Sequence, residues 1–139
     1  MSGYFTESNY ENAVLQLLNE DLGYTYVYGP DVERDYHSPL YEDVLLPSLQ
    51  RINKSLPMDA LTEAIYKLKN FETGTLLQKN MVFMDYLQNG VPVKYYDKGE
   101  ERSTLVYLVD FKNPASNEFT VANQWTFIEN SEKRPDVIL

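Results

Sequence analysis

The hydrophobic period of this chain changes from mainly helical to alternating near Val91-Pro92, and that change limits the fold more than any other feature of its 139 residues. Before it, apolar residues recur at helical spacing; after it, they alternate in short runs between turn residues. A 3.6-residue period buries one stripe of a helix, and a period of two buries one face of a strand, so neither pattern serves the other element. The expected fold is α+β, with N-terminal helices packed on a mixed sheet built largely from residues after Val91.

The helical part divides at its own punctuation. From about Thr6 to Leu22, Tyr10, Val14, Leu17 and Leu18 form one stripe, and Gly23 supplies the stop. Tyr24 to Tyr28 is a β-rich run closed by Gly29-Pro30, followed by a polar loop from Asp31 to Tyr41. Glu42 to Asn53 predicts a second helix, in which Pro47 belongs near the first turn or at a break. Met58, Leu61, Ile65 and Leu68 mark a third. Leu77, Met81 and Met84, flanked by Leu76, Phe83 and Leu87, mark a fourth that ends at Asn89-Gly90, and these stripes are expected to face the core. Beyond Val91, the runs Val93 to Tyr96, Ser103 to Phe111, Glu118 to Glu129 and Asp136 onward predict strands, separated by turns at Asp97-Lys98-Gly99 and Asn113-Pro114. No repeat, low-complexity tract or interdomain linker interrupts the chain, so residues 1–139 are taken as one domain.

Composition removes several functions. No run approaches the roughly 20 apolar residues of a membrane span, and MSGYFTESNY lacks the basic start and apolar centre of a signal peptide. A cytoplasmic protein without a membrane partner is expected. There are no cysteines and one histidine, His37, which excludes disulfides, thiolate metal sites and a His-rich centre. Any metal is then a hard cation held by carboxylates, and His37 is a loop residue. The net charge of −9 is uneven: residues 1–50 carry nine acidic side chains against the single basic Arg34, whereas residues 51–139 carry twelve against eleven. Non-specific nucleic-acid binding draws its affinity from basic surface, so these residues alone are expected to bind DNA weakly. The acidic front is a solvated face or one that docks a basic partner.

The C-terminal third carries a set of landmarks in a fixed order. Asp110-Phe111-Lys112-Asn113-Pro114 is followed by Asn117-Glu118-Phe119-Thr120-Val121-Ala122-Asn123-Gln124-Trp125 and then by Arg134-Pro135-Asp136-Val137-Ile138-Leu139. Together with Tyr24, Asp43-Val44-Leu45-Leu46, Leu49-Gln50-Arg51-Ile52-Asn53, Ala64-Ile65, Asn80 and Gly90-Val91, they extend over nearly the whole chain. In this the chain resembles the N-terminal domain of the R subunit of type I restriction enzymes. The resemblance implies a restriction-endonuclease-like core of the PD-(D/E)xK type in front of an ATP-driven DNA translocase. It further implies double-stranded DNA as substrate, Mg²⁺ at the nuclease site, ATP in motor domains further along the polypeptide, and modification and specificity subunits as partners.

In such nucleases an Asp opens one strand, and an acid-x-Lys triplet follows on the next strand of a hairpin. Asp136, after Pro135 and before Val137-Ile138-Leu139, matches the first of these, and the chain stops before the triplet would appear. It therefore reads as a truncated piece of a longer protein. Phosphodiester cleavage needs a hydroxide near neutral pH and a cation to neutralise charge on the phosphate, and carboxylate-bound Mg²⁺ supplies both. Asp136 is the expected metal ligand. A glutamate on the first helix often completes this type of site, and Glu11 and Glu7 are the candidates. Glu11 shares a row with Leu15, Leu18 and Leu22, which places it beside the buried face, yet Ser8-x-x-Glu11 also fits a capping box.

Gln124, on the long strand expected from Glu118 to Glu129, is a candidate for orienting water or phosphate; Trp125 beside it is a core anchor. Lys133 and Arg134 adjoin Asp136 and are either phosphate contacts or solvated loop charges. The twelve tyrosines lack interleaved basic residues and suit packing more than base stacking. Two classes of function stay open: an endonuclease fragment, inactive by itself, and a non-catalytic interaction module on the same scaffold.

Overall fold

The structure, a computed structural model, describes residues 3–139. They form two compact units: one from residues 3–40 and 118–139, the other from residues 41–117. The mixed α+β class stands, with four α-helices and three small sheets among the described residues.

The first unit opens with α1 (Glu7–Gln16), whose last turn widens over Leu17–Asp21 so that the Leu22 amide donates to the Leu17 carbonyl five residues back. Gly23, at φ +76°, ends it in the left-handed conformation that glycine adopts without a Cβ penalty. The buried residue of α1 is Leu15, with Leu18 half-buried, whereas Tyr10, Val14 and Leu17 lie outside. The expected stripe is thus rotated toward the Glu11–Leu15–Leu18 row.

Next come β1 (Thr25–Tyr28) and, from the far end of the sequence, β4 (Thr120–Asn123) and β7 (Val137–Ile138). β4 is central, parallel to β1 with Thr25 opposite Thr120, and antiparallel to β7 with Ala122 opposite Ile138. Val121, Ala122 and Trp125 are buried. The long strand expected over Glu118 to Glu129 is broken: β4 ends at Asn123, and Phe127–Ile128 (β5) pairs separately with Glu132–Lys133 (β6). The break falls at Gln124, which has a positive φ of 51° that no strand accommodates.

In the second unit, α2 (Glu42–Ile52), α3 (Met58–Lys69) and α4 (Leu76–Asn89) precede a hairpin of β2 (Val91–Asp97) and β3 (Glu100–Val106). The hairpin turns on Lys98-Gly99, both at positive φ, as a tight two-residue connection requires. Its second strand stops at Val106, so the expected run to Phe111 is cut short. α3 packs across the hairpin and α2 against α3. Their contact buries Leu49, Ala60, Leu61, Ala64, Leu68, Val91, Val93 and Val106, while Met58 is exposed and Ile65 half-buried. α2 continues past Pro47 to Ile52. Asp43 and Pro47 are both exposed, so water can replace the lost backbone bond, and burial of Leu49 at 1% exposure outweighs it.

α4 departs most from its sequence pattern. A Thr75–Gln78 capping box starts it and Gly90 at φ +95° stops it, yet none of its residues is buried. Phe83, Tyr86 and Leu87 are half-buried, with Phe83 and Tyr86 against Phe71 at ring distances of 6.2 and 6.1 Å. Leu76, Leu77, Met81 and Met84, expected to face the core, are at least half exposed. The helix has apolar residues on two sides, and only one is covered.

Asn53 stitches the second unit together. Its buried amide donates to the Leu49 and Tyr107 carbonyls, each at 2.9 Å, and its oxygen accepts from the Tyr107 amide at 2.8 Å. The side chain thus acts as a strand partner for the chain leaving β3. Asn53→Ala removes three hydrogen bonds and should cost about 3 kcal/mol, at roughly 0.5–1.5 kcal/mol each. Urea unfolding with an unchanged slope would measure it. The landmark loop that follows closes on itself: the Asp110 carboxylate accepts from the Lys112 and Asn113 amides, and Asn117 bonds both backbone groups of Asp110. Asp110 and Asn117 therefore have structural work in shaping this turn.

Candidate active site

The site is built where β4 ends. Along a strand, successive side chains point to opposite faces, so Asn123 and Gln124 would diverge if β4 continued. The left-handed turn at Gln124 brings them to the same partner. Asn123 Nδ2 donates to Glu11 Oε1 at 3.0 Å, and Gln124 Nε2 donates to Glu11 Oε1 and Oε2 at 3.1 and 3.2 Å. The same Gln124 nitrogen reaches Asp136 Oδ1 at 3.3 Å. Two carboxylates from opposite ends of the chain thus converge on one amide. A non-glycine residue in this backbone region costs on the order of 1–2 kcal/mol, which the surrounding structure must offset.

Several contacts hold that conformation. The Gln124 and Trp125 amides donate to the Asp136 and Pro135 carbonyls at 3.0 and 3.2 Å, fixing the Asp136 segment beside the turn. Trp125 is buried, and its indole nitrogen donates to the Pro39 carbonyl at 3.2 Å. Arg34 lies 3.9 Å over the Trp125 ring and donates to the Ser38 and Thr126 carbonyls. Burial lowers the pKa of this guanidinium, opposed by Tyr36 and then Asp35. The lone base of the acidic front is therefore a clamp behind the turn.

Gly29 presses on the turn from another side. A Cβ placed there would lie 2.5 Å from the Asn123 carbonyl oxygen and 2.7 Å from that of Gln124. Asn123 is itself directed by Tyr26, whose hydroxyl donates to Asn123 Oδ1 at 2.9 Å. The Asn123 oxygen is thereby engaged, and its nitrogen faces Glu11.

Of the residues singled out from sequence, Glu11, Gln124 and Asp136 come together. The Glu11 capping box does not form. Thr6 caps α1, accepting from the Asn9 amide at 3.3 Å, while Ser8 lies within the helix and the Glu11 carboxylate faces the two amides. Glu7 is exposed in the first turn, and Lys133 and Arg134 are exposed. His37 is exposed, 3.1 Å from Asp35. Asn123, Tyr26, Gly29 and Arg34 escaped sequence reasoning. The nearest signals were the Asn123-Gln124 pair and the Gly29-Pro30 step, which reads as an ordinary strand stop.

Among the described residues, no three or more His, Asp or Glu side chains gather as a metal cage. Glu11 and Asp136 nevertheless fit Mg²⁺, which often takes only one or two carboxylates and keeps several waters. Also among the described residues, no helix is long and apolar enough to cross a membrane.

Comparison with known proteins agrees with the landmarks. Residues 4–139 match the family model described as type I restriction enzyme R protein N terminus. The type I restriction enzyme MjaIXP endonuclease subunit of Methanocaldococcus jannaschii is 30% identical over 93% of this chain. The type I restriction enzyme HindI endonuclease subunit of Haemophilus influenzae is 28% identical over 95% of it. In both cases the match spans 13% of the relative's length. No solved structure matches. With nearly every residue matched, the chain belongs to the family of type I restriction enzyme R protein N-terminal regions.

Proposed function

We propose that these residues form the front of a PD-(D/E)xK nuclease domain whose intact protein cuts double-stranded DNA with Mg²⁺ and works with modification and specificity subunits. The observation that carries this is the meeting of Glu11 and Asp136 on the Gln124 amide. Bound Mg²⁺ would supply a hydroxide near neutral pH and neutralise charge developing on the scissile phosphate. Asp136 and Glu11 would hold it, with Asn123 keeping Glu11 aimed at the site. The acid and lysine of a neighbouring strand would add a ligand and orient the attacking water. ATP would serve motor domains elsewhere in the polypeptide, as the 13% coverage of both relatives leaves room for.

An interaction module without catalysis is the second reading, favoured by the uncovered apolar side of α4. Plasmid cleavage separates the two. The intact subunit, assembled with its partners and given Mg²⁺ and ATP, should make double-strand breaks; the isolated 139-residue chain should make none, since two carboxylates leave a hard cation mostly hydrated. Failure of the assembled protein to cut would favour the module. Metal-dependent nicking by the purified chain would show that the neighbouring strand is not needed.

A further inference from the structure

Gln124 combines two features that a residue merely lining a site does not need: a left-handed backbone without glycine, and an amide nitrogen shared between two carboxylates. Glu11 and Asp136 repel when brought together, and an NH₂ group between them supplies partial positive charge to both. Glu11 and Asp136 would hold a divalent cation, which would supply the same positive charge more strongly. We infer that Gln124 is a stand-in for the cation: its amide holds the two carboxylates in place while the site is empty and is displaced when the metal binds.

The two adjacent amides differ in the way this requires. Asn123 is gripped at both ends, its oxygen by the Tyr26 hydroxyl at 2.9 Å and its nitrogen by Glu11 at 3.0 Å, so it stays. The Gln124 oxygen accepts no hydrogen bond from any described residue, so the two carboxylates are the amide's hydrogen-bond partners. Its 3.1–3.3 Å contacts are at the long end of charge-assisted bonds, and turning about the last side-chain bond would release them all. The strained backbone maintains this arrangement, because a residue in ordinary strand conformation would aim its side chain to the opposite face.

The inference rests on the proposed metal site and is tested by cation binding in the intact polypeptide, without DNA or nucleotide. Gln124→Met keeps the length and removes the donor. If the amide competes with the metal, this variant should bind Mn²⁺ about three- to tenfold more tightly by calorimetry and be less stable than wild type without metal. It should also gain more in thermal midpoint when Mn²⁺ is added, since ligand-linked stabilisation grows with affinity. Unchanged or weaker binding by Gln124→Met would overturn the inference, making the amide a bystander or a ligand. Asp136→Ala provides the separate control. Full Mn²⁺ binding in that variant would remove the proposed metal site itself, whereas loss there without a gain in Gln124→Met would sink only the stand-in role.

Discussion

Asp136→Ala in the intact protein is expected to lower DNA cleavage by at least roughly a thousandfold while DNA-stimulated ATP hydrolysis stays close to wild type. Removing the carboxylate proposed to hold Mg²⁺ would delete charge that the transition state needs, a loss on the order of 4 kcal/mol, and each 1.4 kcal/mol is about a factor of ten in rate. The carboxylate is exposed and contributes to this unit through one long hydrogen bond from Gln124, so its removal should not disturb the fold. The assay measures double-strand breaks and ATPase on the same preparation. Retained cutting would take Asp136 out of the site, and joint loss of both activities would indicate failed folding or assembly. Glu11→Gln is the companion. Glutamine can still accept one hydrogen bond from Asn123 or Gln124 but lacks the ligand charge, so cleavage should fall with little change in melting temperature.

Gly29→Ala should destabilise the protein by about 3 kcal/mol and disable the same site from behind. Most overpacking substitutions cost about 1–3 kcal/mol because flexible side chains give way. Here the added methyl would meet the backbone oxygens of Asn123 and Gln124 at 2.5 and 2.7 Å, and neither can move without displacing the end of β4. The Gly29 backbone is not in the left-handed region, so the cost is steric and not one of dihedral preference. Thermal unfolding gives its size, and cleavage at a temperature where the variant remains folded gives its local consequence. A variant as stable and active as wild type would mean that the two segments can separate without loss.

Legibility in the sequence followed the range of the interactions involved. The ends of α1 and α4 at Gly23 and Gly90, the Lys98-Gly99 turn and the strand at Tyr24 to Tyr28 were all visible, because each is decided by a few neighbouring residues. The stripe of α4 was misjudged for a physical reason. Periodicity identifies an apolar face but does not say whether anything covers it, and α4 has apolar residues on two sides. Pro47 was misplaced because its backbone penalty is local while the compensating burial of Leu49 is not. Ser8-x-x-Glu11 was a plausible cap until Thr6 took that position and left Glu11 to Asn123 and Gln124.

The sequence by itself determined the element types, the change from helices to strands near Val91, the family landmarks and the three candidates Glu11, Gln124 and Asp136. Period and turn chemistry act over a few residues and can be read one residue at a time. Only the tertiary structure decided that these three meet. Glu11 bonds to groups 112 and 113 residues away, and the meeting depends on a reversed φ at Gln124, a missing side chain at Gly29 and a buried Trp125 beneath Arg34. None of these has a local sequence signature, because the backbone strain at Gln124 is offset by packing from segments far along the chain.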